Sequence, residues 1–377
     1  MTNHIAMYPD DLTPAYLTGL VQELRPGLTV EAAEIKAVKT YGDADPAAPV
    51  STSARVSLNV RYGGERSEAL PTQIIAKISF PDDLPVDNPE LDAEFENEVN
   101  FYNLLRGELA LEAPTSLGGR YDPASKRFII LMEDLTPKAP HFNSMMGGSK
   151  VEDVRALLDT FAVLHATYWD SPRFATDLDW VQNQLDGPLE TLFDDFTTPH
   201  IAAELEKEHY KREFVQELET SGDELYRAMK AVKLHQSTLT PTFLHGDAHF
   251  GNTYTLPDGR GGLLDWQICC KGFVMHDIGY FIQSALCVED RRKHERDLLD
   301  GYREALGANG VRELPGRDML WNEYRLSAVY GFYMGWLTVP RQNYGLDVAV
   351  LGNHRTKAAC LDLDSVPLIR AQLFNNS

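Results

Sequence analysis

From Arg55 to Tyr62 the apolar residues Val56, Leu58, Val60 and Tyr62 take alternate positions, the period of a strand with one buried face. Gln73 to Phe80 is a compact β-prone run and reads as another strand. After the Pro- and Asp-rich turn from Pro81 to Pro89 the period changes, and Phe95, Val99, Tyr102 and Leu105 recur at helical spacing. A second strand pair follows, ending in Arg127 to Met132. Glu133 to Gly148 carries Pro137, Pro140, Gly147 and Gly148 and reads as a connector, which puts the domain boundary between residues 1–136 and 137–377. Beyond it Val154, Leu157, Leu158, Phe161, Leu164, His165 and Tyr168 share one face of a long helix. The stretch from Trp180 to Lys233 is helix-prone and acidic, and one hairpin is expected around Pro257-Asp258-Gly259. The pattern predicts an α+β chain, strand-rich first and mainly helical afterwards.

At 377 residues the chain exceeds the usual size of a single core, so two cores, or one fold in two lobes, are expected, with a ligand cleft between them. Its 56 acidic residues against 35 Lys and Arg give a net charge of -21, which repels phosphate backbones and anionic lipid surfaces. Nucleic acid and membranes are therefore set aside as partners. The cysteines Cys269, Cys270, Cys287 and Cys360 show no C-x-x-C spacing, and free thiols in a reducing compartment fit them best. Met1 to Leu20 has no basic segment followed by an apolar one, and the apolar run from Leu326 to Val339 is too short to span a bilayer. The expectation is a cytoplasmic protein with a buried helix.

The strongest chemical signal is His245-Gly246-Asp247-Ala248-His249-Phe250-Gly251-Asn252, followed by the hairpin and Leu263-Leu264-Asp265-Trp266. Asn252 follows Asp247 by five positions, and Asp265 follows it by eighteen. Phosphoryl transfer needs a carboxylate to orient the attacking hydroxyl, and an amide oxygen and a second carboxylate as hard ligands for Mg²⁺. The order Asp, Asn, Asp is also that of the protein-kinase catalytic and metal-binding loops. A buried polar turn would use His245, Asp247 and His249 only to satisfy backbone groups.

This segment resembles the aminoglycoside phosphotransferase and choline kinase superfamily, whose loop reads H-G-D-x-H-x-G-N and whose metal-binding Asp precedes Trp. Leu131-Met132-Glu133-Asp134-Leu135, and Leu164-His165-Ala166 with Trp169 after it, further resemble the ecdysteroid-kinase-like branch of small-molecule kinases. The resemblance implies a protein-kinase-like two-lobed fold, with an antiparallel-sheet nucleotide-binding lobe and a mainly helical catalytic lobe. It implies ATP and Mg²⁺ as cofactors, Asp247 as the base or hydroxyl-orienting group, and Asn252 and Asp265 as metal ligands.

Ile74-Ile75-Ala76-Lys77 resembles the strand that presents a phosphate-binding lysine. A lysine in an apolar strand needs a partner, and Glu98, within the stripe of Phe95, Val99 and Tyr102, is the expected one, with Glu94 as the alternative. The phosphate-covering loop, Val50 to Arg55, lacks glycine, so the hydroxyls of Ser51, Thr52 and Ser53 with nearby amides are the candidates there. By resemblance Glu133 to Leu135 form a hinge that offers backbone groups to adenine, with their side chains left to solvent, and Asp277 braces the catalytic loop. His165, on an apolar helix face, reads as a satisfied core histidine, and His245 and His249 as loop supports.

The reading is therefore an ATP- and Mg²⁺-dependent kinase that moves the γ-phosphate to a hydroxyl of a small molecule. Aminoglycoside-type or choline-type acceptors are alternatives. The aromatic set Trp321, Tyr324, Tyr330, Phe332, Tyr333 and Trp336, with Met334 and few carboxylates, points instead to a hydrophobic alcohol, about half of the set being expected to be core. A pseudokinase is disfavoured because base, lysine and metal ligands are all present. A metallohydrolase using His245, Asp247 and His249 leaves Lys77, Asn252 and Asp265 without a purpose. A protein kinase lacks support because neither Phe-Gly after Asp265 nor a later Ala-Pro-Glu is present.

Overall fold

A computed structural model describes residues 4–39, 53–64, 70–79, 91–146 and 148–374. They form two compact units that divide at Pro140, and Ala110–Glu112, although early in the chain, belongs to the second.

The first unit opens with helix α1 (Pro14–Leu24), started by Thr13, whose Oγ1 accepts the Tyr16 N–H, and by Pro14, whose fixed φ suits a first turn. Five strands follow, β1 (Thr29–Lys39), β2 (Ala54–Gly63), β3 (Gln73–Ile78), β4 (Ser116–Asp122) and β5 (Arg127–Glu133). They lie in the order β1-β2-β3-β5-β4, every neighbouring pair antiparallel. The alternation in β2 sends Val56, Leu58, Val60 and Tyr62 into one core with Ile74, Ala76 and Ile78 of β3, Ile129 and Leu131 of β5, and Leu17, Leu20 and Val21 of α1. Each large side chain buried there contributes about 1.5–3 kcal/mol. Period two then puts Lys77 on the opposite face, its backbone paired with Arg55 and Ile130. That face is packed by α2 (Leu91–Asn100), which runs on as a wider turn over Phe101–Leu105. Phe95, Val99, Tyr102 and Leu105 are buried, and Phe95 stacks on Phe128 of β5 at 4.4 Å. β1 escapes a pattern reading because it is an edge strand, exposed on both faces from Glu34 to Lys39.

The second unit begins with β6 (His141–Phe142) and α3 (Val151–Thr167), whose buried stripe is Val154, Leu157, Leu158, Phe161, Ala162, Leu164 and His165. The acidic stretch forms α4 (Gly187–Thr191), α5 (Thr198–Lys207), α6 (His209–Glu217) and α7 (Gly222–Gln236). Four short strands follow, β7 (Thr242–Leu244), β8 (Thr253–Thr255), β9 (Gly261–Leu263) and β10 (Cys270–Gly272). β7 pairs with β10, and β6, β8 and β9 make a second small antiparallel sheet. The β8–β9 turn is closed by Leu256 N–H to Arg260 O and by Gly259, whose φ of 88° suits glycine.

Helix α8 (Met275–Ala285) is buried at every position. Around it pack α9 (Val288–Ala308), α10 (Arg317–Tyr330), the wider turn Gly331–Leu337 that continues α10, α11 (Arg341–Tyr344), α12 (Leu346–Asp362) and α13 (Ser365–Ile369). Among the described residues no helix is long and apolar enough to cross a membrane. Ala110–Glu112 joins this unit because Leu263 donates its N–H to Glu112 O at 3.1 Å and the Tyr254 hydroxyl donates to Glu112 Oε1 at 3.0 Å.

Candidate active site

In the first unit Lys77 Nζ lies 2.6 Å from Glu98 Oε2, the expected partner, with both residues buried. Such a pair holds only if the mutual attraction offsets the loss of hydration of both ions, which a short direct contact favours. Ser53 is buried at the head of β2, while Ser51 and Thr52 lie outside the described residues. The side chains of Glu133 to Leu135 are not left to solvent, contrary to expectation. Glu133 Oε2 accepts from the Thr115 N–H and hydroxyl and its carboxylate meets Lys138, Asp134 Oδ1 accepts from the Thr136 N–H, and Leu135 is buried. Asp134 satisfies a backbone N–H of the turn after β5, and Glu133 satisfies one of the segment that leads into β4.

In the second unit β7 delivers the chain into the loop at His245. Gly246 has a φ of 86°, and a Cβ there would sit 1.9 Å from Ile268 O, so only glycine fits. Asp277, at the start of α8, accepts the His245 N–H at 2.7 Å and the Gly246 N–H at 3.0 Å. His165 Nε2 lies 3.2 Å from the same carboxylate, and its Nδ1 lies 2.6 Å from the Tyr302 hydroxyl. These are the satisfied histidine and the bracing carboxylate of the sequence reading, joined in one buried chain. His276 Nε2 and the Tyr330 hydroxyl reach Gly246 O at 3.0 and 3.4 Å. His245 uses Nε2 on Leu264 O at 2.7 Å and Nδ1 on the Asp247 N–H at 3.3 Å. With both ring nitrogens committed to backbone, His245 is lost as a ligand to the metallohydrolase reading.

The loop brings Asp247 and Asn252 together: Asn252 Nδ2 donates to Asp247 O at 2.9 Å and to Asp247 Oδ2 at 3.0 Å. Spending Nδ2 on both bonds leaves Oδ1 as a hard oxygen donor. The hairpin register pairs Thr253 with Leu263, and Leu264 donates its N–H to Asn252 O at 2.8 Å, so Asp265 emerges beside the loop. Asp265 has a φ of 63°, an uncommon conformation for a residue with a side chain and one that collects at functional sites. Trp266 is buried against His245 at 4.7 Å between ring centroids. His249 takes the Gly251 N–H on Nδ1 and holds Nε2 3.6 Å from Asp247 Oδ2. One amide oxygen and one carboxylate at one end of a hairpin are the donor chemistry of a Mg²⁺ site that leaves positions for phosphate and water.

The aromatic set is more deeply core than half. Tyr324, Tyr330, Phe332, Tyr333, Met334 and Trp336 are all buried, because the wider turn carries the helix through the middle of the unit, and Trp321 lies under Arg296 at 3.7 Å. Tyr330 touches the loop, and the Trp336 ring stands 6.4 Å from that of His249. Sequence reasoning missed Tyr280, 6.2 Å from His249, and Tyr344. Burial first, then the charge of Asp247, raises the Tyr280 phenol well above its ordinary range; burial, Asp247 and Asp265 do the same to Tyr344. Their only signal in the chain is aromatic identity, which core residues share.

Residues 80–315 match the model of the phosphotransferase enzyme family, APH. Among solved structures the chain is similar to a choline kinase from Cryptosporidium parvum Iowa II, at 11% identity over 91% of this chain and 90% of that one, with a TM-score of 0.51. It is similar as well to an ethanolamine kinase of Plasmodium vivax, at 12% identity over 90% of this chain and 83% of that one, with a TM-score of 0.50. At these identities the likeness concerns the fold, which is protein-kinase-like. No curated protein sequence matches this chain.

Proposed function

The chain belongs to the phosphotransferase enzyme family and is a small-molecule kinase, and on that premise we propose that it moves the γ-phosphate of ATP to a hydroxyl of a largely apolar small molecule in the cytoplasm. The observation that carries this is the second-unit loop, where Asp247 is held by Asn252 and braced from behind through Asp277.

In the first unit Lys77, held by Glu98, is assigned to the α- and β-phosphates, and the backbone of Glu133 to Leu135 to adenine. Ser53, and Ser51 outside the described residues, stay candidates for phosphate contacts. In the second unit Asn252 and Asp265 would hold Mg²⁺, which when bound offsets charge on the phosphates. Asp247 aligns the acceptor hydroxyl for in-line attack and takes its proton at the carboxylate. The loop's backbone bonds keep that carboxylate in place, so little reorganisation accompanies the transfer. The aromatic wall beside His249 supports an apolar acceptor in the manner of ecdysteroid-kinase-like enzymes. The same rings, with two carboxylates near, would also suit an amino alcohol of the choline or ethanolamine type, which is the second reading.

ATP consumption measured with a hydroxysteroid, choline, ethanolamine and kanamycin tests both readings. Turnover of the hydroxysteroid at the highest kcat/KM is expected, preference for choline installs the second reading, and preference for kanamycin overturns both. Asp247→Ala is expected to lower transfer by about a hundredfold or more while Mg·ATP binding by calorimetry stays nearly intact. A variant that keeps most of its activity removes Asp247 from the role.

A further inference from the structure

The segment that follows Trp336 is held in an unusual way. A helix end leaves its last carbonyls without intrahelical partners, and water commonly takes them. Here four consecutive carbonyls, 336 to 339, are each taken by a side chain. Asn353 Nδ2 donates to Trp336 O at 3.0 Å, Lys211 Nζ to Leu337 O at 2.8 Å, His200 Nε2 to Thr338 O at 2.9 Å, and Lys211 Nζ again to Val339 O at 2.9 Å. Lys211 is fully buried and spends its third N–H on Glu204 Oε2 at 2.8 Å, so all three protons of the ammonium are used. The donors come from α5, α6 and α12, and Pro340, which has no N–H to continue a helix, closes the segment.

What this clamp holds is the Trp336 ring. It lies against the α12 backbone, where a Cβ at Gly352 would come within 2.0 Å of it, and it stands 6.4 Å from the His249 ring, whose Nε2 is 3.6 Å from Asp247 Oδ2. Its indole Nε1 is buried and, among the described residues, has no hydrogen-bond partner. An orphaned buried donor is costly in a finished fold and needs an explanation. A few residues on, Tyr344 is close enough to Asp247 and Asp265 to feel both charges.

We propose that the clamp of His200, Lys211 and Asn353 is the acceptor-positioning device of this enzyme, holding Trp336 so that its indole N–H takes an oxygen of the acceptor other than the hydroxyl that is phosphorylated. This rests on the kinase reading above and narrows its substrate class. The acceptor is a mostly apolar alcohol with a second oxygen, a ketone or an ether, within reach of the ring. His200 and Lys211 touch neither substrate nor phosphate; they act through the backbone of the turn and through Trp336. A site that hydrogen-bonds a substrate oxygen discriminates strongly against the analogue lacking it, because its own buried donor is then left unpaired.

The test uses the full chain labelled with 5-fluorotryptophan, the Trp336 resonance being assigned with Trp336→Phe. The acceptor probes are a hydroxysteroid carrying a distant ketone and the same steroid without it. The ketosteroid is expected to have a kcat/KM about tenfold higher in the wild type, and Trp336→Phe to erase the difference. His200→Ala is expected to shift the Trp336 resonance and raise KM for the ketosteroid about tenfold with KM for ATP within about twofold, and His200→Gln, which keeps a donor for Thr338 O, to restore both. Lys211→Met acts in the same direction if it folds, and His200, half-buried at the edge of the clamp, decides the matter if it does not. Equal use of the two steroids by the wild type overturns the role of the indole. An unmoved Trp336 resonance in His200→Ala overturns the clamp. If neither steroid is phosphorylated the hydrophobic-acceptor reading falls, and the resonance still judges the clamp by itself.

Discussion

Lys77 is a buried lysine and Lys233 a partly buried one whose ammonium nitrogen is itself buried, and the surroundings of the two nitrogens differ in one respect. Lys77, in the first unit, ends 2.6 Å from the carboxylate of Glu98. Lys233, on α7 in the second unit, ends over the faces of Phe193 and Tyr330, 4.2 and 5.3 Å from their centroids, and its Nζ has no hydrogen-bond partner among the described residues. The carboxylates whose charge reaches it, Glu190 and Asp194, bind Lys230, at 2.7 and 2.8 Å. Burial alone therefore says little about what a lysine does. A carboxylate partner makes it a fixed charge that can be aimed at a phosphate, whereas ring faces hold it only weakly.

Breaking the first arrangement is expected to have the largest effect. Lys77→Met removes the charge assigned to the phosphates, and kcat/KM for ATP should fall by about a hundredfold or more in a steady-state assay. A loss of less than about threefold would leave Lys77 a structural charge. Glu98→Gln sharpens the comparison, because it removes the carboxylate that Lys77 meets at 2.6 Å and leaves the lysine in place. Removing one member of a buried pair costs about 3–5 kcal/mol when nothing replaces it, and a glutamine oxygen recovers part of that. Urea unfolding of Glu98→Gln should therefore show a loss below that range, together with roughly tenfold slower turnover. Unchanged stability would mean that the pair contributes no net stabilisation.

Asp265→Ala should weaken the tightening of ATP binding by Mg²⁺ by about tenfold, read by calorimetry with and without the cation. Asp247→Ala should leave that tightening nearly intact, and normal tightening in Asp265→Ala removes it as a metal ligand.

The same contrast explains what was readable in the chain. Lys77 was legible because the period of β3 and the helical stripe around Glu98 are local patterns that put both residues on facing surfaces. The loop was legible because Asp247, Asn252 and Asp265 are fixed by a short turn and a hairpin, within one stretch of sequence. Lys233 was not, because its character depends on Phe193 and Tyr330, far away in the chain, and on Glu190 and Asp194 being occupied elsewhere. The joining of Ala110–Glu112 to the second unit likewise rests on Tyr254 and Leu263, which no local period connects to residue 112. The solvated hinge side chains failed for a related reason: Thr115, on a neighbouring strand segment, claims Glu133.

The smallest effect on turnover, and the sharpest test of the contrast, is expected from Lys233→Met. Burial pushes the Lys233 ammonium down from the usual 10.5 to about 7, with Cys270, Asp194 and Glu190 pulling it up and Lys230 pushing it further down. His276, Gln236 and Ser327 line the small cavity beside it, and burial also keeps His276 below its ordinary range. Above about pH 10.5 the amine is neutral both folded and unfolded, and the burial costs nothing in charge. Between about 10.5 and 7 the unfolded chain holds a proton that the folded protein releases, so stability falls as pH falls through this window. Below about 7 both states are charged and the full penalty is present. Met has nearly the same stem without the charge, so Lys233→Met should be more stable than the wild type by an amount on the order of a few kcal/mol at pH 6, shrinking by roughly half at pH 9. Urea unfolding of both proteins at the two pH values reads this directly. A variant no more stable than wild type at pH 6 would show that the rings of Phe193 and Tyr330 serve Lys233 as well as Glu98 serves Lys77, and a gap that does not shrink at pH 9 would show that its origin is packing rather than charge.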